Sequence, residues 1–162
     1  MPAQIESDRR GSRIAFAALA LISAIACSDD PLDVEEELEP QVASIVITAG
    51  TSTATVSATG QGAQTGTLTL RQNEANLISF RFVDARGQDE AVIVADRDDF
   101  ELRPGAPMPT SVSLTSTGGS GATFTATITP TVAGQVSIPF VLFNTHHGHA
   151  ELSRVVVATV AP

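Results

Sequence analysis

The sequence predicts an all-β domain over residues 42–162, specifically an antiparallel Greek-key β-sandwich of seven to nine strands. Short runs in which apolar and polar residues alternate recur throughout this region, with turn residues between them about every 8–12 residues. Ser, Thr, Ala, Val and Gly dominate the composition, which is typical of strands and turns. No stretch beyond residue 42 keeps a helical period for more than a turn or two.

The candidate strand segments, in chain order, are Ala43–Thr48, Ala54–Thr59, Gly66–Arg71, Leu77–Val83, Ala91–Ala95, Asp99–Pro104, Ser111–Ser116, Ala122–Thr129, Gln135–Phe143 and Glu151–Val160. The segment Leu77–Val83 has the clearest pattern. Ile78, Phe80 and Phe82 point to one face, and the residues between them are polar. This period of two predicts a strand with one buried face.

Turn residues and prolines refine this prediction. Asp84–Gly87 and Gly118–Gly121 are predicted turns, because glycine accepts the backbone angles that tight turns require. Pro139 has no N–H to donate to a neighbouring strand, so its segment is predicted to be an edge strand or to carry a bulge.

The predicted core rests on phenylalanine, since the chain has no Trp or Tyr and its single cysteine excludes an intrachain disulfide. Burying one such side chain contributes about 1.5–3 kcal/mol. Six phenylalanines lie on the candidate strands, and most are expected in the core: Phe80, Phe82, Phe100, Phe124, Phe140 and Phe143.

Three short motifs resemble bacterial Ig-like domains. V-A-S-I-V-I-T, Val42–Thr48, is similar to their first strand, and F-V-D-A-R-G-Q, Phe82–Gln88, is similar to a strand and turn around D-A-x-G. A-T-I-T-P-T-V-A-G-Q-V, Ala126–Val136, resembles a late strand pair. The resemblance implies an Ig-like sandwich, a fold that does not by itself imply a function.

The first 26 residues have the pattern of a signal peptide. Arg9, Arg10 and Arg13 precede the apolar run Ile14–Ala26, which has 13 residues and ends in small side chains. A membrane-spanning helix needs about 20 apolar residues, so this run is too short to span a bilayer. A basic region, a short apolar region and a small-residue cleavage site predict export through residues 1–26.

The apolar run ends in A-I-A-C, Ala24–Cys27, which resembles the lipobox of bacterial lipoproteins. Ala24 stands where that motif more often has Leu. The resemblance implies that Cys27 is lipidated, becomes the first mature residue and anchors the chain to a membrane of the cell envelope. Ser28 favours the outer membrane or cell surface under the proteobacterial sorting rule. The alternative is an ordinary secretory signal with an incidental cysteine.

Residues 27–41 form a predicted acidic, disordered tether between the lipidated cysteine and the domain. Its 14 residues after Cys27 include seven acidic side chains and two prolines. Like charges at this density repel one another and extend the chain, and proline opposes helix formation. The segment is therefore expected to hold the domain away from the membrane.

The charge of the whole chain excludes one class of partner. The chain carries 18 acidic and nine basic residues, a net charge of −9, and every basic residue is arginine. Phosphate groups repel such a chain, so no nucleic-acid partner is expected.

All three histidines, His146, His147 and His149, fall within four positions, and Glu151 follows them. On an extended chain His147, His149 and Glu151 share one side and His146 points away. Two imidazoles and a carboxylate suit Zn²⁺ or Cu²⁺. Gly148 predicts a tight turn, which would bring His146 closer instead. The alternatives are a solvent-facing hairpin loop and a pH-responsive contact surface, because histidine titrates near neutrality.

A second group of candidate ligands is Asp96, Asp98 and Asp99, whose carboxylates are of the type that Ca²⁺ prefers. No EF-hand or other calcium-loop pattern accompanies them. Solvated acidic residues on a loop are the alternative interpretation.

No catalytic motif stands out. The chain lacks a G-x-S-x-G elbow, a P-loop and a dinucleotide-binding fingerprint, and its only thiol is at the predicted lipidation site. The prediction is therefore a non-catalytic, lipid-anchored binding or structural module of the cell envelope, which contacts an envelope protein or a surface ligand. The alternative is an envelope metal-binding protein that uses the histidine cluster. A third possibility is a subunit of a larger surface assembly.

Overall fold

The computed structural model describes residues 38–162, which fold into an all-β domain. Its strands are β1 Ser44–Ala49, β2 Ser52–Ser57, β3 Gln64–Arg71, β4 Asn76–Val83, β5 Phe100–Pro104, β6 Val112–Ser120, β7 Thr123–Pro130, β8 Gly134–Asn144 and β9 His149–Ala161. One α-helix, α1 Ala91–Ala95, and a 3₁₀-helix, Arg97–Asp99, lie between β4 and β5. Nine strands in the described region confirm the all-β prediction. The predicted signal peptide, Cys27 and the tether up to residue 37 lie outside the described residues.

The segment Ala91–Ala95 is α1 rather than the predicted strand. Glu90 begins this helix, because its carboxylate accepts a hydrogen bond from the backbone N–H of Ile93 at 2.9 Å. Ile93 is fully buried, whereas Val94 is exposed. A five-residue apolar run is too short for its period to distinguish helix from strand, and here the cap and the buried Ile93 favour helix.

The nine strands form one mixed sheet in the order β5-β8-β9-β3-β2-β1-β4-β7-β6. Neighbours are antiparallel except for β3 and β9, which are parallel from Leu68 opposite Ala158 to Arg71 opposite Ala161. The prediction of a wholly antiparallel sheet was therefore wrong at this pair. Strands so far apart in sequence leave no local signal of their relative direction.

Strand β3 changes partner along its length. Residues 64–67 pair with β2, and residues 68–71 pair with β9. In the part of β3 that pairs with β2, the side-chain amide of Gln64 forms hydrogen bonds with β9. It donates to the carbonyl of Val157 at 2.8 Å and accepts from the Val157 N–H at 2.7 Å. The side chain thus replaces the backbone as the partner of β9.

The sheet curves around a core to which all nine strands contribute buried side chains. The ring of Phe80 on β4 lies 5.0 Å from that of Phe140 on β8, although four strands separate β4 from β8 in the sheet. Five of the six predicted phenylalanines are buried, which confirms most of the core prediction. Phe143 is only half-buried, because it lies on the outer face under the guanidinium of Arg103, 3.6 Å from the ring centroid.

Pro139 lies on β8, which has β5 on one side and β9 on the other, so the predicted edge strand was wrong. The bulge in the β8–β9 pair belongs to β9, where Glu151 is the extra residue opposite Leu142 and Phe143. Pairing with β5 ends at Pro104, and Gly105 donates its N–H to the carbonyl of Pro139 at 2.9 Å. Pro139 therefore lies where the ladder between β8 and β5 ends. Its missing N–H removes no hydrogen bond from that ladder.

The two predicted turns have different outcomes. Asp84–Gly87 is a turn in which the N–H of Gly87 donates to the carbonyl of Asp84 at 3.0 Å. Gly118 and Gly119, in contrast, lie inside β6, and a bulge between Ser116 and Gly118 shifts the register there. The chain therefore turns later than predicted, around Gly121. Within residues 38–162, no helix is long and apolar enough to cross a bilayer.

Candidate metal centre in the β8–β9 hairpin

The histidines lie in the turn of the longest hairpin of the described domain. Thr145–Gly148 connects β8 to β9, and His149 is the first residue of β9. Gly148 has a φ of 72° and donates its N–H to the carbonyl of Asn144 at 2.9 Å. Glycine accepts this left-handed conformation without steric cost, which explains its place in the turn.

Asn144, the last residue of β8, organises the turn. Its side chain is almost fully buried, and its Oδ1 accepts hydrogen bonds from the backbone N–H groups of His146 and His147, each at 3.0 Å. Its Nδ2 donates to Oε1 of Glu151 at 3.1 Å. One buried amide therefore connects the turn backbone to a candidate ligand carboxylate. The sequence prediction missed this residue, although asparagine before a turn commonly binds backbone N–H groups in this way.

The base of the turn is attached to the 3₁₀-helix. The backbone N–H and the hydroxyl of Thr145 both donate to the carbonyl of Asp99, at 2.7 and 3.1 Å. These bonds hold the first residue of the turn and limit its movement.

A small cavity of about 100 Å³ lies beside the turn. It is lined by Leu38, Glu39, Pro40, Asn144, His147, His149 and Glu151. Within this set, Nε2 of His149 is 3.2 Å from Oε1 of Glu151. The carboxylate of Glu151 is largely buried, while His149 is about half exposed. The cavity is therefore open to solvent on the histidine side.

The three imidazole rings lie in sequence along the turn. The ring centroids of His147 and His149 are 5.7 Å apart, and those of His146 and His147 are 5.0 Å apart with the rings nearly perpendicular. His147, His149 and Glu151 therefore border one cavity, whereas His146 is outside its lining. The turn at Gly148 accompanies this grouping. A bulge in β9, in which Glu151 is the extra residue opposite Leu142 and Phe143, interrupts the regular alternation that the sequence predicts.

The distances can be compared with those of a metal site. Ligand atoms about 2.0–2.1 Å from a tetrahedral ion lie about 3.3 Å from each other. The 3.2 Å between His149 and Glu151 matches this value. Within residues 38–162, however, no three His, Cys, Asp or Glu side chains already surround one point as metal ligands. Binding therefore requires at least one side chain, such as that of His147, to turn towards the other two.

The calcium candidates occupy a different position. Asp96 follows α1, and Asp98 and Asp99 belong to the 3₁₀-helix. Asp96 and Asp98 are exposed, and Asp99 accepts both hydrogen bonds from Thr145 of the hairpin through its backbone carbonyl. In the part of the chain that the structure describes, these carboxylates form no three-ligand group. Calcium binding here stays a prediction without support from geometry.

Comparison of the chain with protein-family models, with curated proteins and with solved structures found no match. The function is therefore inferred from the residues themselves. Two features of the described domain bear on it: the arrangement of its strands, and the cavity that joins the β8–β9 turn to residues 38–40.

Proposed function

We propose that this chain is an exported, lipid-anchored and non-catalytic module of the cell envelope with an Ig-like fold. The strand order supports the fold. An Ig-like sandwich has its first, second, fifth and fourth strands in one sheet and its third, sixth and seventh in the other. If β2 and β3 are regarded as an insertion that connects the halves, the seven remaining strands are counted one to seven in chain order. The first, second, fifth and fourth are then β1-β4-β7-β6, and the third, sixth and seventh are β5-β8-β9, as the sheet has them.

The position of the loops supports a binding role. The chain approaches β1 through residues 38–43, at the end of the domain that carries the β8–β9 turn. At the opposite end, hydrogen bonds connect the β3–β4 turn to the β7–β8 loop, as from the side chain of Gln72 to the carbonyl of Thr131 at 2.8 Å. A groove of about 500 Å³ at this end includes Leu77, whose side chain is exposed. We place partner binding at this end.

Lipid anchoring is tested by substitution of Cys27. The full chain is expressed in a bacterium that processes lipoproteins and partitioned between detergent and aqueous phases. Wild type is expected in the detergent phase with an acylated N-terminal cysteine by mass spectrometry, and Cys27→Ser in the aqueous phase. Ser28→Ala, one residue further on, leaves the thiol in place and serves as the control. Equal partitioning of wild type and Cys27→Ser would contradict the lipid anchor.

A second candidate function is binding of Zn²⁺ or Cu²⁺ at the cell envelope. One observation favours it: His147, His149 and Glu151 line the same small cavity. Neutral imidazoles and a carboxylate are suitable ligands for both ions.

Metal binding is tested by calorimetric titration of the full chain in detergent, after removal of metal with a chelator. The metal-binding function predicts micromolar or tighter affinity for Zn²⁺ or Cu²⁺ that His147→Ala/His149→Ala abolishes, because two of three ligands are lost. Asp98→Ala, an exposed acid outside the cavity, is the control and is expected to bind as wild type does. Unchanged affinity in the double variant would show that His147 and His149 are not metal ligands.

A further inference from the structure

We infer that Glu39 is a fourth ligand of this metal site, so that metal binding fastens residues 38–40 to the β8–β9 turn. The inference rests on the proposed metal-binding function and adds to it a ligand from a remote part of the chain. Residues 38–40 line one side of the cavity, and the hairpin lines the other. More than 100 residues separate Glu39 from the histidines in sequence.

Two hydrogen bonds donated by backbone N–H groups hold the chain that follows Glu39 in place. The N–H of Gln41 donates to Oε1 of Glu90 at 3.2 Å, and Glu90 is a buried residue that also caps α1. The N–H of Ala43 donates to the carbonyl of Val83 at 2.8 Å. Pro40 further restricts Glu39, because a residue before proline favours an extended conformation. Glu39 therefore borders the cavity on a restrained backbone, while its side chain is exposed and able to turn.

The ligand count also points to Glu39. Two imidazoles and the carboxylate of Glu151 leave one position of a tetrahedral ion open. Of the other lining residues, Leu38 and Pro40 offer no side-chain ligand, and the amide of Asn144 is already bonded to the turn and to Glu151. Glu39 is thus the remaining ionisable residue of the lining. Two carboxylates with two neutral imidazoles would balance the charge of a divalent cation.

The surroundings of Glu151 fit the same interpretation. Ligating carboxylates are usually held by hydrogen bonds from a second layer of residues. Asn144 supplies such a bond to Oε1 of Glu151 at 3.1 Å from a nearly buried position. The second oxygen of this carboxylate is not part of that bond. The hairpin therefore presents one ligand in a defined orientation, towards which Glu39 and the imidazoles can move.

The experiment compares Zn²⁺ affinity in the full chain and in two isosteric variants, by competition with a chromophoric chelator. Glu39→Gln is expected to weaken binding about tenfold or more, since it replaces a charged ligand by a neutral amide. Glu37→Gln removes the same charge two residues away and is expected to bind as wild type does. In parallel, Zn²⁺ is expected to slow amide hydrogen exchange at residues 41–43 in wild type and in Glu37→Gln, but not in Glu39→Gln.

The outcomes separate this inference from the function on which it rests. If wild type binds Zn²⁺ and Glu39→Gln equals Glu37→Gln in affinity and exchange, Glu39 is no ligand, while the hairpin site stands. If wild type binds no Zn²⁺, both the metal-binding function and the role of Glu39 are overturned. Equal circular dichroism spectra of the three proteins verify that the variants are folded.

Discussion

Two amide side chains, Asn144 and Gln64, replace backbone hydrogen-bonding partners at places where the sheet is interrupted. Asn144 binds two N–H groups of the β8–β9 turn, and Gln64 binds both backbone groups of Val157. Backbone groups that leave a strand ladder still require partners, and an uncompensated buried group is costly. Neither role is evident from the residue type alone, because most asparagines and glutamines are simply solvated.

Asp84 is the residue at which pH is expected to act on stability. Its carboxylate accepts N–H groups of Gln88 at 2.9 Å and Arg86 at 2.8 Å, and it pairs with the Arg86 guanidinium. The bond from Gln88 contributes most to holding the pKa of Asp84 below its usual 3.8, although desolvation opposes this. Because the pKa of Asp84 is lower in the folded than in the unfolded state, its ionised carboxylate stabilises the folded protein fully above pH 3.8. This stabilisation is lost as the pH falls through the folded-state pKa.

We therefore expect Asp84→Asn to lower the melting temperature near neutral pH, with a difference from wild type that shrinks below pH 3.8. The asparagine still accepts hydrogen bonds, so the change is mainly one of charge. Thermal unfolding followed by circular dichroism across this pH range measures it, with Asp98→Asn as the exposed control. A difference of equal size at neutral and acidic pH would rule out a contribution from the ionised carboxylate.

At the scale of the element, β3 is the strand that connects the halves of the sheet. Its change of partner from β2 to β9 occurs between Thr67 and Leu68, one residue beyond Gly66, which has a φ of 76°. A β-carbon at Gly66 would lie 2.5 Å from the carbonyl oxygen of Thr53, which is closer than contacts allow. Close passage beside β2 thus requires glycine at this position.

This requirement is tested by comparing two glycines of similar backbone conformation. Gly60 has a φ of 58°, but a β-carbon there would meet no atom within 4 Å. Both Gly→Ala changes share the cost of a left-handed residue, whereas only Gly66→Ala adds a clash with the backbone. Gly66→Ala is expected to lower the free energy of unfolding by about 1–3 kcal/mol more than Gly60→Ala, as measured in urea. Equal losses in the free energy of unfolding would show that β2 moves away from the added β-carbon without further destabilisation.

At the scale of the whole molecule, the contact between Phe80 and Phe140 joins the two halves of the curved sheet. Their centroids are 5.0 Å apart with the rings tilted by 55°, and both side chains are fully buried. Phe82 and Phe124 form a similar pair within one half, 5.5 Å apart and edge to face. The halves therefore share one core and are expected to unfold together.

A double-mutant cycle measures this connection. Phe80→Leu and Phe140→Leu are each expected to destabilise the domain, and the pair to show a coupling energy of about 0.5–1.5 kcal/mol from the aromatic contact. The Phe82–Phe124 pair provides the reference within one half. Urea unfolding followed by far-ultraviolet circular dichroism is expected to be a single transition. Near-zero coupling, or two transitions, would indicate halves that fold separately.

The sequence by itself determined the all-β class, most strand positions and five of the six core phenylalanines, since alternation along a strand is a local property. It also predicted that His147, His149 and Glu151 would share a side. Only the tertiary structure decided the parallel pairing of β3 with β9, the helix at Ala91–Ala95 and the position of Glu39 beside the histidines. The strand pairing and the position of Glu39 depend on contacts between segments remote in the chain, which leave no local pattern in the sequence. The helix combines a local cap at Glu90 with the burial of Ile93, and the five-residue run alone does not distinguish it from a strand.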